Sequence, residues 1–313
     1  MSSLEGTGSP LIFLIDASVY VFRAYHSQLP SMMDAEGNSV HAVFGFARFL
    51  GDLMERVRPR FIAVAFDQRL TTSYRNRIFP AYKANREPAP AGIARQFEYC
   101  RELCRHLGLA AFVDPEFEAD DIIGTLSCLM RSAGVRSAFI TRDKDLAQLV
   151  RDGDLLWDFG ARTQLGYRDI ERHFGAAPER FADFLALTGD SSDNIPGVPG
   201  VGPKIAATLL RKFSSLDDLY ENIGRVAALG LRGGSALGER LLTHRESAFV
   251  ARRLTRIVCD MPLGVSARDL QPKGPDLAAL SAFYDRLGFG PLLRRQGERL
   301  AAQRLTPPAA IAS

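Results

Sequence analysis

LIFLI (11–15) is an apolar run that stops at Asp16, and two later runs end the same way: FIAVAF (61–66) stops at Asp67, and SAFIT (137–141) stops two residues before Asp143. Each reads as a strand carrying a carboxylate at its C-terminal end. Helical stretches lie between them, near 43–57, 93–107 and 118–132, with two further strand-like runs, AAFV (110–113) and DLLWDF (154–159). This alternation predicts an α/β fold with a mainly parallel central sheet flanked by helices. In such a sheet the C-terminal strand ends share one edge, and ligands bind there. From about Arg168 onward the strand signal fades, and helical segments separated by Gly and Pro continue to Leu293, so a helical second half packed on the sheet domain is expected. No internal repeat or heptad is present.

Six more acidic residues belong with Asp16, Asp67 and Asp143: Glu118, Asp120 and Asp121 in EADD (118–121), Asp145 in DKD (143–145), and Asp190 and Asp193 in DSSD (190–193). Each cluster has an ordinary local explanation. Acids in a first helical turn complement the macrodipole, and Asp caps its own backbone in turns. Unrelated caps, however, have no reason to align with one sheet edge. Brought together, such charges repel, by ~1 kcal/mol for a pair 4 Å apart even in water, and need cations. This many hard oxygen ligands suits Mg²⁺ or Mn²⁺, and two such ions ~4 Å apart are the usual device for in-line attack on a phosphodiester.

Composition agrees. The chain has 313 residues, 46% of them hydrophobic, and a formal charge of +3. Of its 36 acidic residues nine belong to the set above, which leaves 27 against 39 lysines and arginines. A basic exterior around an acidic pit suits a polyanion, although a scattered surplus of solvated arginines would give the same total. Residues 68–92 (QRLTTSYRNRIFPAYKANREPAPAG) hold five basic residues, one Glu and two tyrosines. That mixture suits either contact with single-stranded nucleic acid from a protruding segment or a solvated loop. Cys100, Cys104, Cys128 and Cys259 contain no CxxC pair, and the five histidines lack ligand spacing. No GxSxG occurs. No apolar stretch is long enough for a membrane span or signal sequence, so a cytoplasmic protein with no membrane association is expected. The ends, 1–9 and 299–313, are expected to be disordered or flexible.

GVPGVGPK (197–204) fails as a Walker loop, because Pro203 stands where its lysine belongs, and as a dinucleotide fingerprint, because Ile205 replaces the last glycine. It reads better as a tight hairpin between a helix ending near Thr188 and one beginning at Pro203, a good first helical residue. The N–H groups of Gly200 and Gly202 would then cradle a phosphate. An ordinary turn between helices is the simpler alternative, but it would need one glycine rather than three.

Taken in order, Asp16, Asp67, EADD (118–121), TRDKDL (141–146) and TGDSSDNIPGVPGVGPK (188–204) closely resemble the 5′ nuclease family, which includes the N-terminal domain of bacterial DNA polymerase I, phage 5′-to-3′ exonucleases and flap endonucleases. The likeness spans roughly residues 10–293, with no polymerase segment after it, as in a free-standing form. It implies that all nine acids bind or orient two divalent ions, Mg²⁺ or Mn²⁺: Asp16, Asp67, Glu118, Asp120 and Asp121 on one side, Asp143 and Asp145 between, Asp190 and Asp193 on the other. It also implies an arch over the site formed by about 68–92, where AYKANR (81–86) places Tyr82, Lys83 and Arg86 above a threaded 5′ strand. Lys83 and Arg86 would be catalytic, with Lys83 stabilising charge. Arg23, Tyr74 and Arg75 fall at substrate-contacting positions. Gly197, Gly200, Gly202 and Lys204 would form a helix-hairpin-helix, about 180–213, that grips duplex DNA and holds a K⁺ ion.

The implied domains are a metal-binding core at 10–175 and a helical DNA-binding region at 176–295. The implied activity is two-metal hydrolysis of DNA carrying 5′ flaps, overhangs or nicks, leaving 5′-phosphorylated products, by a monomer whose partners are replication or repair proteins. One departure is visible: the family usually has Gly after its first Asp, and here Ala17 follows Asp16. Two rivals share some of these features, a structure-specific DNA-binding protein with a dead site and a PIN-type ribonuclease. The first has no use for nine acids, and the second none for the hairpin or the arch. A haloacid dehalogenase phosphatase is disfavoured by Ser18 where its second Asp should stand.

Overall fold

The computed structural model describes residues 9–27, 31–68, 73–231 and 234–305. Six strands form one sheet: β1 (Leu11–Asp16), β2 (Phe61–Asp67), β3 (Ala110–Asp114), β4 (Arg136–Ile140), β5 (Leu155–Asp158) and β6 (Thr163–Gly166), in the order β3-β2-β1-β4-β5-β6. The first five run parallel, and β6 returns antiparallel to β5. β6 carries no apolar run. Its TQLG is half exposed and pairs through its backbone as an edge strand, so hydrophobic patterning could not reveal it.

The helices are α1 (Ala17–Ser27), α2 (His41–Val57), α3 (Tyr74–Ile78), α4 (Ile93–His106), α5 (Ala119–Ser132), α6 (Tyr167–Phe174), α7 (Phe181–Thr188), α8 (Pro203–Lys212), α9 (Leu216–Glu221), α10 (Gly234–Thr243), α11 (Arg245–Thr255), α12 (Leu277–Arg286) and α13 (Pro291–Leu305). The expected flexible end at 299–313 is corrected over 299–305. Those residues complete α13, where Leu300 is buried and Arg299 Nε lies 2.7 Å from Glu55. The expectations for 1–8 and 306–313 lie outside the described residues.

Alternate strand residues enter two separate cores. Ile12 and Leu14 of β1, with Phe61, Ala63 and Ala65 of β2, pack in the cluster that holds α5 residues Ile122, Ile123 and Leu126. Phe13 and Ile15, with Ile62, Val64 and Phe66, pack in the opposite cluster with α1, α2 and α4. Both faces are covered, which is why these strands read as continuous apolar runs. Side-chain direction alternates along a strand. Asp16 therefore shares the α5 face with Ile12 and Leu14, and Asp67 shares it with Ala63 and Ala65. The sheet order also reverses here, since β1 has β2 on one side and β4 on the other, and this is the switch point where an open α/β sheet leaves its crevice.

Candidate active site and nucleic-acid interface

Asp16 closes β1 and is 3% exposed. Its carboxylate accepts hydrogen bonds from Thr141 Oγ1 at 2.8 Å and from the Val19 N–H at 3.4 Å. The same Thr141 oxygen accepts from the Asp143 N–H at 2.9 Å, so one hydroxyl ties the ends of β1 and β4 together. Asp67 Oδ1 accepts the Ala119 N–H at 2.9 Å, which docks the start of α5 against the end of β2 and carries Asp120 to the same edge. Thr141 was not singled out from sequence, since a threonine between a strand and an acidic turn carries no chemical signature.

Asp16, Asp67, Asp120 and Asp143 form one group, and none of them has a salt bridge among the described residues. Burial raises the Asp16 pKa to about 7, reinforced by the charges of Asp67 and Asp143. Asp120 is held well above the ordinary carboxylate range, by burial first and then by Asp143, Asp16 and Asp67. Asp143 is likewise raised by burial. Asp145 is raised to about 8 by burial and then by Asp143. Its Oδ1 is buried and accepts no hydrogen bond among the described residues, with Lys144 Nζ passing at 3.3 Å.

A second group already carries protein cations. Lys144 Nζ lies 2.5 Å from Asp190 Oδ2, and Ser192 donates to Asp190 Oδ1 through both its N–H and its hydroxyl. Arg86 Nη2 lies 2.6 Å from Asp193 Oδ1. Lys83 Nζ reaches Glu118 Oε2 at 2.9 Å and Asp193 Oδ2 at 3.8 Å. The Tyr82 hydroxyl lies 3.0 Å from both of those carboxylates. Lys144 is a site residue that sequence reasoning passed over, because attention fell on the acids at either side of it.

The residues present fit divalent ions. A buried acceptor without a donor, and Asp16, Asp120 and Asp143 held above the ordinary carboxylate range, are what a cation would relieve. Among the described residues no three His, Cys, Asp or Glu side chains close around a single point. Carboxylates are hard oxygen donors of the kind that Mg²⁺ takes, one or two directly and others through its waters.

Three expected roles are corrected. Asp121 does not face the pit: it is fully buried and accepts from Arg75 Nη1 and Nη2, the Glu118 N–H and the Val258 N–H, which leaves nothing for a metal. Arg75, its partner, is 2% exposed and cannot touch DNA. Tyr82 is 4% exposed, so its ring is not presented to a strand. The cause is common to all three. Residues 73–86 do not stand away from the body: Arg75 is held by Leu254 O and Arg256 O, and 81–86 lie on the 190–195 turn. The Lys83 N–H donates to Asp193 O at 2.9 Å, Asn194 Nδ2 to Ala81 O at 2.7 Å, and Asn85 Nδ2 to Ser191 O at 2.7 Å. The longest exposed stretch is 84–89, and residues 69–72 of the expected arch lie outside the described residues.

Tyr74 is half buried, with its ring against Phe117. Arg23 Nη1 lies 3.5 Å from Asp158 and borders a cleft of about 490 Å³ that also receives Arg56 and Arg162. Ala17, the departure noted above, is fully buried at the start of α1 and has no positive φ.

α7 and α8 are joined by the expected hairpin. A Cβ on Gly197 would stand 2.3 Å from Thr188 C and 2.4 Å from Gly189 N, so only glycine fits where the two backbones cross. Gly200 has φ +76°. Gly202 has open space around it and a negative φ, so the turn itself does not require a glycine there. The N–H groups of Gly200 and Gly202 donate to no acceptor among the described residues, and Gly200, Gly202 and Lys204 are exposed.

A doubly wound sheet with carboxylates at its switch point, followed by a helical region bearing a glycine hairpin, is the 5′ nuclease fold. The chain belongs to the 5′-3′ exonuclease family: the family's N-terminal resolvase-like domain matches residues 11–175, and its C-terminal SAM-fold domain matches residues 176–278. It is 36% identical to DNA polymerase I of Streptococcus pneumoniae over 289 residues, which are 89% of this chain and 32% of that one. With DNA polymerase I of Bacillus subtilis it shares 35% identity over 295 residues, 92% of this chain and 32% of that one. The chain thus spans about a third of the length of the curated relatives it matches.

Among solved structures, the T5 D15 protein co-crystallized with metal ions is similar at a TM-score of 0.63 and 22% identity, covering 93% of this chain and 98% of that one. The catalytic core of Rad2 in complex with DNA substrate is similar at 0.59 and 17%, covering 96% and 94%. At these identities the likeness is one of fold.

Proposed function

We propose that the chain is a divalent-metal-dependent 5′ nuclease that hydrolyses DNA phosphodiesters at 5′ ends, flaps and nicks and leaves 5′-phosphorylated products. The observation that carries this reading is the group Asp16, Asp67, Asp120 and Asp143, four carboxylates at the switch point of a parallel sheet that make no salt bridge among the described residues. When bound, a pair of Mg²⁺ ions supplies an activated water and neutralises charge on the leaving oxygen.

Asp16, Asp67, Asp120 and Asp143 would hold one ion, and Asp143 with Asp145, Asp190 and Asp193 would address the other, Glu118 acting beside them. Thr141 orients Asp16 and Asp143. Lys83 and Arg86, with partly buried cationic ends inside the pit, would stabilise charge developing on the phosphate. Lys204 and the hairpin N–H groups would take the duplex backbone, with Arg23 and Tyr74 nearer the pit. The K⁺ ion at the hairpin, the monomeric state, a cytoplasmic location and partners in replication or repair belong to the same reading. Among the described residues no helix is long and apolar enough to cross a membrane.

Asp143→Asn tests it. Cleavage of a labelled 5′-flap duplex in Mg²⁺ should fall on the order of a thousandfold, the several kcal/mol of charge stabilisation a metal site supplies, while flap binding persists. Normal turnover by the variant would overturn the assignment.

A further inference from the structure

Arg240 of α10 lies far in sequence from the hairpin and belongs to none of the motifs considered so far. Its guanidinium nevertheless lies over Gly200: a Cβ built there would be 3.4 Å from Arg240 Nε and 3.6 Å from Cζ and Nη2. Nε is buried and has no hydrogen-bond acceptor among the described residues. No carboxylate forms a salt bridge with Arg240 among the described residues, whereas many other arginines here have one. A buried donor left unpaired is destabilising, and such an outlier in an otherwise satisfied structure calls for a reason. Beside it, the N–H groups of Gly200 and Gly202 donate to no acceptor among the described residues either. Donors of one polarity thus converge from two elements that the chain separates by some forty residues.

We propose that Arg240 is a DNA-contacting residue that completes the hairpin from α10, placing a fixed positive charge against the phosphate that the Gly200 and Gly202 N–H groups receive. This rests on the reading of the chain as a DNA nuclease. It accounts for Gly200 in two ways. The left-handed φ needs glycine, and a Cβ there would come into van der Waals contact with the guanidinium. It also makes the grip a joint one, requiring α10 to be docked beside α8 before the anion is fully held. A planar guanidinium suits a phosphate better than a point charge, because its N–H groups lie in a fixed fork.

The test measures binding of a 5′-flap duplex to the wild-type chain, Arg240→Gln and Arg240→Lys in EDTA over a range of salt. Removing one phosphate contact should weaken binding roughly ten-fold at low salt and reduce the slope of log K against log salt by about one. Arg240→Lys should recover the slope but only part of the affinity. Circular dichroism melts register any loss of folding. A slope equal to wild type in a folded Arg240→Gln variant would overturn the proposal. A wild-type chain that binds no DNA at any salt would instead sink the nuclease reading beneath it.

Discussion

Arg75 and Asp121 face each other through two parallel hydrogen bonds, Nη1 to Oδ2 at 2.7 Å and Nη2 to Oδ1 at 2.8 Å, in surroundings that hide both side chains from water. Arg75 Nε also donates to Leu254 O at 2.8 Å, and Asp121 Oδ1 accepts the Val258 N–H at 2.9 Å. One ion pair therefore pins the 73–86 segment, the first turn of α5 and the strand of chain after α11 to one another.

Breaking that pair should damage the fold rather than the chemistry. Arg75→Met leaves a buried carboxylate without its cation, and such losses run to about 3–5 kcal/mol. The double variant Arg75→Met with Asp121→Leu should recover much of that loss, since the orphaned charge goes with its partner. Urea midpoints decide. A shift for Arg75→Met no larger than that of an exposed arginine would mean the network is incidental.

Metal-free protein should grow less stable as pH rises above the acid range. Asp16 titrates near 7 and Asp145 near 8 in the fold, against 3.8 for a free Asp, burial being the first cause in each. A raised folded pKa means that the native state holds protons the unfolded chain releases. Stability is then fully present below about pH 4 and is lost as pH climbs through those folded values. Mg²⁺ binds the ionised form, and a ligand at a hundred times its Kd adds about 2.7 kcal/mol. The rise in Tm on replacing EDTA with Mg²⁺ should therefore be larger at pH 8 than at pH 5. An equal rise at both would show that the ion is not bound by these acids.

The sheet and the acid edge were legible because both follow from local signals: an apolar run long enough for one strand, then a carboxylate. The helix limits were legible for the same reason, and α7 and α8 flank the hairpin as its glycines and Pro203 foretold. What sequence could not reveal is partnership. Asp120 and Asp121 are neighbours in one tetrapeptide, yet the helix turns one toward Asp16, Asp67 and Asp143 and the other onto Arg75. Arg75 and Tyr82 look like surface residues in a polar stretch, and only the 190–195 turn and the chain near 254–258 bury them. Arg240 has no motif at all, and its meaning comes from the backbone it lies upon.

The two outer glycines of the hairpin separate folding from binding. Gly197→Ala forces a Cβ against backbone atoms of Thr188 and Gly189 that cannot rotate away, so the crossing must open and the Val198 N–H to Leu187 O bond at 2.9 Å is strained with it. A loss of about 1–3 kcal/mol is expected, together with weaker flap binding. Gly202→Ala meets nothing within 4 Å and keeps an ordinary φ, so its melting point should match wild type. If the Gly202 backbone lies against a phosphate, the added methyl should still weaken binding, because it occupies the side from which the anion approaches. Melting curves and flap-binding isotherms on both variants give the answer. Unchanged binding by a normally folded Gly202→Ala protein would place the DNA elsewhere on this helical region.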